Sequence, residues 1–146
     1  MTLDQIAQLS TAIAAAVGAL GLVVGVVIYR RQMNAQVFLE YTKRYEEVMR
    51  SFPREGRLAR LSSEGEPPPP SDDLTLAVLR YLNLCSEEFY LCRKRYLSRG
   101  VWRIWEDELK RTLRTPLLRR EWAQLRREFE AYPEFAEYVD RVQKTA

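Results

Sequence analysis

Residues Gln5 to Tyr29 form a run of 25 without a charge, and from Ile13 to Ile28 the chain is almost purely Ala, Val, Leu, Ile and Gly. With no polar side chain between Ile13 and Ile28, the run reads as a long apolar helix. At ~1.5 Å per residue it would reach about 37 Å, enough to cross a ~30 Å hydrocarbon core with some tilt. A cleavable signal peptide would need a basic start and a shorter apolar stretch, whereas this start carries Asp4 and no Lys or Arg. The segment 5–29 is therefore predicted to be a transmembrane helix. Within it Ala7, Thr11, Ala14, Gly18, Gly21 and Gly25 recur at alternating spacings of four and three. They make a stripe of small side chains along which a second helix can approach closely, and Ala14, Gly18, Gly21 and Gly25 are the expected packing residues.

After Tyr29 the pattern becomes amphipathic. Val37, Tyr41, Tyr45, Val48 and Phe52 repeat at helical spacing, with no Gly or Pro separating them from the span. A juxtamembrane amphipathic helix is predicted over 30–52, stopped by Pro53. Residues 53–70 hold Gly56, Gly65 and the run Pro67 to Pro70, and are expected to be a Pro-rich linker of extended character. Ser71, Asp72 and Asp73 then read as a helix start, with a capping hydroxyl and acids at the positive end of the dipole. Val78, Leu82, Cys85, Phe89, Cys92 and Tyr96 step by four and three as a core stripe, with Gly100 placed to end the helix. A shorter helix is predicted from Val101 to about Arg114. Thr115 and Pro116 would open another through about Phe129, and Pro133 the last, with Phe135, Tyr138, Val139 and Val142 as its apolar face. No segment sustains strand alternation. The expected fold class is all-α: one N-terminal transmembrane helix continuing into a juxtamembrane helix, then a compact bundle of four or five helices, with 71–146 as a helical domain.

Charge orients the span. No Lys or Arg precedes it, while Arg30, Arg31, Lys43 and Arg44 follow closely. The positive-inside rule puts the N-terminus outside and the C-terminal domain in the cytoplasm, with Tyr29, Arg30 and Arg31 as membrane-interface anchors. A cytoplasmic domain would keep Cys85 and Cys92 as thiols. They lie seven residues apart on one helix, ~10 Å along its axis, so they cannot pair within it.

Composition narrows the chemistry. The 146 residues include no His, which removes the commonest metal ligand and the commonest neutral-pH base. A carboxylate di-iron bundle would need Glu-x-x-His motifs, and two cysteines cannot complete a four-ligand zinc site. No phosphate loop, nucleophile elbow or dinucleotide fingerprint is present. The chain is expected not to be an enzyme, with no catalytic, cofactor-binding or metal-binding residues and no cofactor. Basic side chains are denser: five cations and no acid lie between Arg93 and Arg103, and seven cations against Glu121 alone lie between Lys110 and Arg127. Arg93, Lys94, Arg95, Arg119 and Arg120 are candidates for docking on a protein or on anionic lipid headgroups. Residues 30–146 carry 23 cations against 19 acids, too balanced to point to nucleic acid, which is not expected as a partner.

The run from Tyr81 to Tyr90, with Asn83, Glu87 and Glu88, then Gly100 to Trp105 with its Trp pair, Pro116, Glu121 and Trp122 resembles a family of bacterial proteins that join an N-terminal membrane span to a small helical domain. The run Arg44 to Met49 is similar to that family's juxtamembrane helix, and the resemblance covers roughly residues 30–140 outside the proline segment. It implies the architecture and a bacterial origin, and brings no catalytic residues. The expected function is a non-enzymatic accessory or scaffold subunit of a larger inner-membrane complex, such as a photosynthetic or respiratory one. A membrane protein partner or a second copy would pack on the transmembrane helix. The alternative is a membrane-tethered regulatory or stress-response module that binds a cytoplasmic ligand or nucleic acid.

Overall fold

The computed structural model describes residues 2–145, and among these it contains six α-helices and no strand. Helix α1 spans Leu3–Ser51, α2 Arg54–Ala59, α3 Asp72–Arg93, α4 Arg99–Leu113, α5 Pro116–Leu125 and α6 Pro133–Lys144, with a 3-10 turn over Arg126–Phe129. The all-α architecture predicted from periodicity is the one observed. By its internal contacts the chain divides into two units, one ending at Val37 and one beginning at Phe38.

The first unit is a single helical stretch. It holds a segment long and apolar enough to cross a membrane, and none of that segment is buried within the chain. Ile13, Leu20, Val23 and Val27 are all exposed, and nothing lies within 4 Å of the positions where Gly18, Gly21 and Gly25 would carry a Cβ.

The second unit is a packed bundle. Three of its helices, α3, α4 and α5, start where short polar side chains relieve unpaired N–H groups. Ser71 accepts from Leu74 N–H, Ser98 from Val101 N–H, and Thr115 from Leu118 N–H with Pro116 just inside the helix. The core gathers Val78, Tyr81 and Leu82 of α3, Leu109 and Leu113 of α4, Leu117 and Leu118 of α5, and Phe135 and Val139 of α6, none more than 1 % exposed. Each such side chain contributes about 1.5–3 kcal/mol of transfer free energy, which together carry the fold. Trp102 and Trp122 belong to this interior. Trp122 Nε1 donates to Asp140 Oδ1 at 2.8 Å, satisfying the one polar atom its burial would strand.

Three local readings change. Gly100 does not end α3; it lies in the first turn of α4. The helix stops at Arg93, and Arg95 takes the left-handed conformation at φ 61°. Tyr96 N–H then bonds Leu91 O at 2.9 Å and Arg95 N–H bonds Cys92 O at 3.0 Å. That is a Schellman closure with arginine where glycine is usual. Tyr96 consequently leaves the core stripe and is 69 % exposed. The segment 53–70 is not simply a spacer either. It begins with α2, in which Gly56 is buried, and Arg60 just beyond is only 8 % exposed.

Candidate functional site

The second unit contains a cavity of about 260 Å³ between the C-terminal part of α1, α3 and α4, with Phe38, Tyr41, Tyr45, Tyr81, Cys85, Glu88, Ile104, Trp105 and Glu108 on its walls. Helical spacing explains the set. Tyr41 and Tyr45 stand one turn apart on α1, Tyr81, Cys85 and Glu88 share a face of α3, and Trp105 and Glu108 share one of α4. Phe38 stacks on Trp105 with ring centroids 5.9 Å apart and planes within 6°, and Tyr41 meets the same indole at 5.5 Å.

Glu108 anchors the inner wall. Tyr45 OH donates to its Oε1 and Tyr81 OH to its Oε2, each at 3.2 Å, and Thr112 Oγ1 donates to Oε1 at 3.2 Å. Arg60 forms an ion pair with the same carboxylate and also donates to Thr112 Oγ1 at 3.3 Å. Its guanidinium carbon lies 5.6 Å from the Tyr45 ring centroid and 5.8 Å from that of Tyr81. Arg60 Nε is buried with no hydrogen-bond partner, which costs about 1–3 kcal/mol that the ion pair and ring contacts offset. Burial, then the Glu108 charge, pushes the Tyr45 phenol up to about 12. Burial raises the Tyr81 phenol and the Cys85 thiol well above their ordinary values.

On the outer side Arg44 grips Glu87 with two bonds, Nη1 to Oε2 at 2.6 Å and Nη2 to Oε1 at 3.1 Å, and Tyr41 OH donates to Oε2 at 3.3 Å. Both partners are more than a third exposed, so this fork orients side chains more than it stabilises the fold. Glu88, one residue on, is different. It is 6 % exposed, lines the cavity and, among the described residues, has neither an ion pair nor a hydrogen bond from another side chain. Burial first, and the Glu108 charge second, push its carboxyl up to about 8.

Of the residues expected from sequence to act at the surface, those in the second unit do not form one site. Tyr29 is exposed, and Arg30 and Arg31 are exposed beside it. Arg93 pairs with Glu134 at 3.1 Å, Lys94 Nζ lies 5.7 Å from the Tyr90 ring, and Arg95 closes α3. Arg119 is exposed. Arg120 is a correction: it is not free for docking, because Nε and Nη2 bond Glu121 Oε1 at 2.9 and 2.7 Å while Nη1 bonds Pro68 O at 2.5 Å. Glu121 in turn bonds Thr75 in the first turn of α3, whereas Arg93 ends that helix, ~27 Å further along its axis. The two basic groups are separate.

Sequence reasoning missed Arg60, Glu88, Glu108 and Glu121 as buried ionisable side chains. For Glu108 a signal was there: Trp105, Glu108 and Thr112 step by three and four beside the core positions Leu109 and Leu113. For Arg60 there was none, since its burial arises from how α2 lies on distant helices. Among the described residues no group of three or more His, Cys, Asp or Glu gathers to hold a metal. Comparison of the chain with protein-family models, curated proteins and solved structures finds no match.

Proposed function

We propose that the chain is a non-enzymatic, single-pass protein of a bacterial inner membrane, with its N-terminus outside and its helical domain in the cytoplasm, acting as an accessory or scaffold subunit of a larger membrane complex. The observation that carries this reading is the wholly unburied apolar segment of α1. Side chains such as Leu20, Val23 and Val27 need either lipid or another protein around them, since exposed apolar surface of this extent is unfavourable in water. The small-residue line through Ala14, Gly18, Gly21 and Gly25 offers close approach to a partner's helix, and Arg30 and Arg31 supply the cytoplasmic charge. Anionic headgroups are the natural contacts of Arg30, Arg31 and the exposed cations Lys94 and Arg119.

The test is purification from native membranes in mild detergent through a C-terminal tag, with stoichiometry read by mass spectrometry. Recovery at fixed ratio with one membrane assembly supports a subunit. Recovery alone, or unchanged recovery after Gly21→Leu and Gly25→Leu together, refutes packing through the helix.

A further inference from the structure

We propose that the cavity between α1, α3 and α4 is a binding site for a small organic cation of the alkylammonium class, held by the aromatic walls of Trp105 and Tyr41 and by the carboxylate of Glu88.

The chemistry of the walls selects the charge of the ligand. Phe38, Tyr41, Tyr45 and Trp105 present aromatic side chains to the cavity, and ring faces attract cations. The two ionisable acids on the walls are Glu88 and Glu108, and no Lys or Arg is among the lining residues. Glu108 is already saturated by Tyr45, Tyr81, Thr112 and Arg60. Glu88 is not: at 6 % exposure it borders the cavity without a side-chain partner among the described residues. A buried carboxyl left alone is costly, and a cation in the cavity removes that cost by ionising it beside a counter-charge. An anion would meet two carboxyls, and a neutral apolar guest would leave Glu88 unpaired.

The same walls exclude a bare metal ion. Calcium and magnesium need six or more oxygen ligands, and a cavity lined mainly by rings cannot replace their water. An alkylammonium group is weakly hydrated and apolar on its outside, so it loses little on entry and gains ring contact. At about 260 Å³ the space lies just below the ~300 Å³ at which drug-sized pockets begin, which suits a compact headgroup. The aromatic walls are fixed in advance. Phe38 backs Trp105 in a near-parallel stack, and the hydroxyls of Tyr41 and Tyr45 are held by Glu87 and Glu108. Arg44 already sits 5.1 Å from the Tyr41 ring centroid, an ion-ring contact of the kind the ligand would make.

The test uses the full chain in detergent and calorimetric titration at pH 8.5 with tetramethylammonium chloride, against sodium chloride at equal ionic strength and neopentyl alcohol as a neutral probe of the same branched shape. Saturable binding of tetramethylammonium is expected, with affinity at least about tenfold weaker in Glu88→Gln, because a charged carboxylate in a low-dielectric site is removed. Trp105→Leu is expected to weaken it several-fold through loss of the ring face. Glu134→Gln, on α6 outside the cavity and paired with Arg93, keeps wild-type affinity. Helicity by circular dichroism checks that each variant is folded. Failure of tetramethylammonium to bind, equal binding by folded Glu88→Gln, or equal affinity for neopentyl alcohol would each overturn the assignment.

Discussion

Thr75 and Glu121, forty-six positions apart, meet across the bundle, the Thr75 hydroxyl donating to Glu121 Oε2 at 2.8 Å. Glu121 is 0 % exposed, and Arg120 occupies its other oxygen. A buried carboxylate so surrounded is stabilised only while every partner is present. Glu121→Ala strands both the Thr75 hydroxyl and a guanidinium that is 23 % exposed. The expected loss is about 3 kcal/mol, measured as a drop in Tm of the full chain in detergent. Thr75→Val, which removes one neutral donor to a charged group, costs about 1.5 kcal/mol on the same assay.

Gly56 fixes how closely α2 can approach α3. A methyl there would stand 2.5 Å from Leu74 Cδ1 and 3.4 Å from Phe52 Cδ1, and both neighbours are 2 % exposed. Alanine in a helix normally gains up to ~1 kcal/mol over glycine, but forcing a packed leucine aside costs about 1–3 kcal/mol. Gly56→Ala is therefore expected to lower the Tm, and the double variant with Leu74→Ala to lose less than the sum of the two single losses, since the pair shares one space.

Arg95 occupies a backbone region that costs an L-residue about 1–2 kcal/mol, at φ 61°. Because its side chain is exposed and no core contact would be lost, Arg95→Gly is expected to stabilise the domain by about 1 kcal/mol. Thermal unfolding checks the sign, and an unchanged or lowered Tm contradicts it.

The carboxyl of Glu88, pushed up to about 8 from an ordinary value of 4.5, makes stability depend on pH. Between those values the folded chain holds a proton that the unfolded chain has released, so stability falls as pH rises and the loss is complete only above pH 8. Burial is the main cause, with the Glu108 and Glu87 charges adding to it and the Arg44 charge opposing it, while the Tyr45 phenol, pushed up to about 12, and the Cys85 thiol, well above its ordinary value, stay protonated in that window. Glu88→Gln should leave the Tm near wild type at pH 5 and raise it at pH 9 by the equivalent of a few kcal/mol at most. The same proton governs the proposed cation. Tetramethylammonium does not titrate, so its affinity should rise ~tenfold from pH 7 to pH 9 and become flat in Glu88→Gln.

Periodicity and capping residues reached most of the architecture because they are local. Val78, Leu82 and Cys85 repeat on one face of α3 for the reason that makes them core, and Ser71 and Thr115 cap helices through bonds three residues away. Arg95 defeated the same reasoning: glycine is the usual C-terminal signal, and here an arginine accepts the strained backbone five residues before Gly100. The site was less legible. Adjacent acids such as Glu87 and Glu88 look alike in sequence, and only tertiary packing gives one an arginine and buries the other. Arg120 read as a docking charge and Arg60 as part of a linker because nothing nearby in the chain announces Glu121 packed against α3 or Glu108 on the inner face of α4.

The exposed arc from Leu61 to Glu66 is bracketed by two guanidinium tethers: Arg60 fastens the chain before it to Glu108, and Arg120 fastens the chain after it at the Pro68 carbonyl. Peptide continuity across that arc is consequently redundant for the bundle. A protease cut between Ser62 and Glu66 would leave two pieces that stay associated, and the same bonds would serve if the domain were supplied as two separate polypeptides.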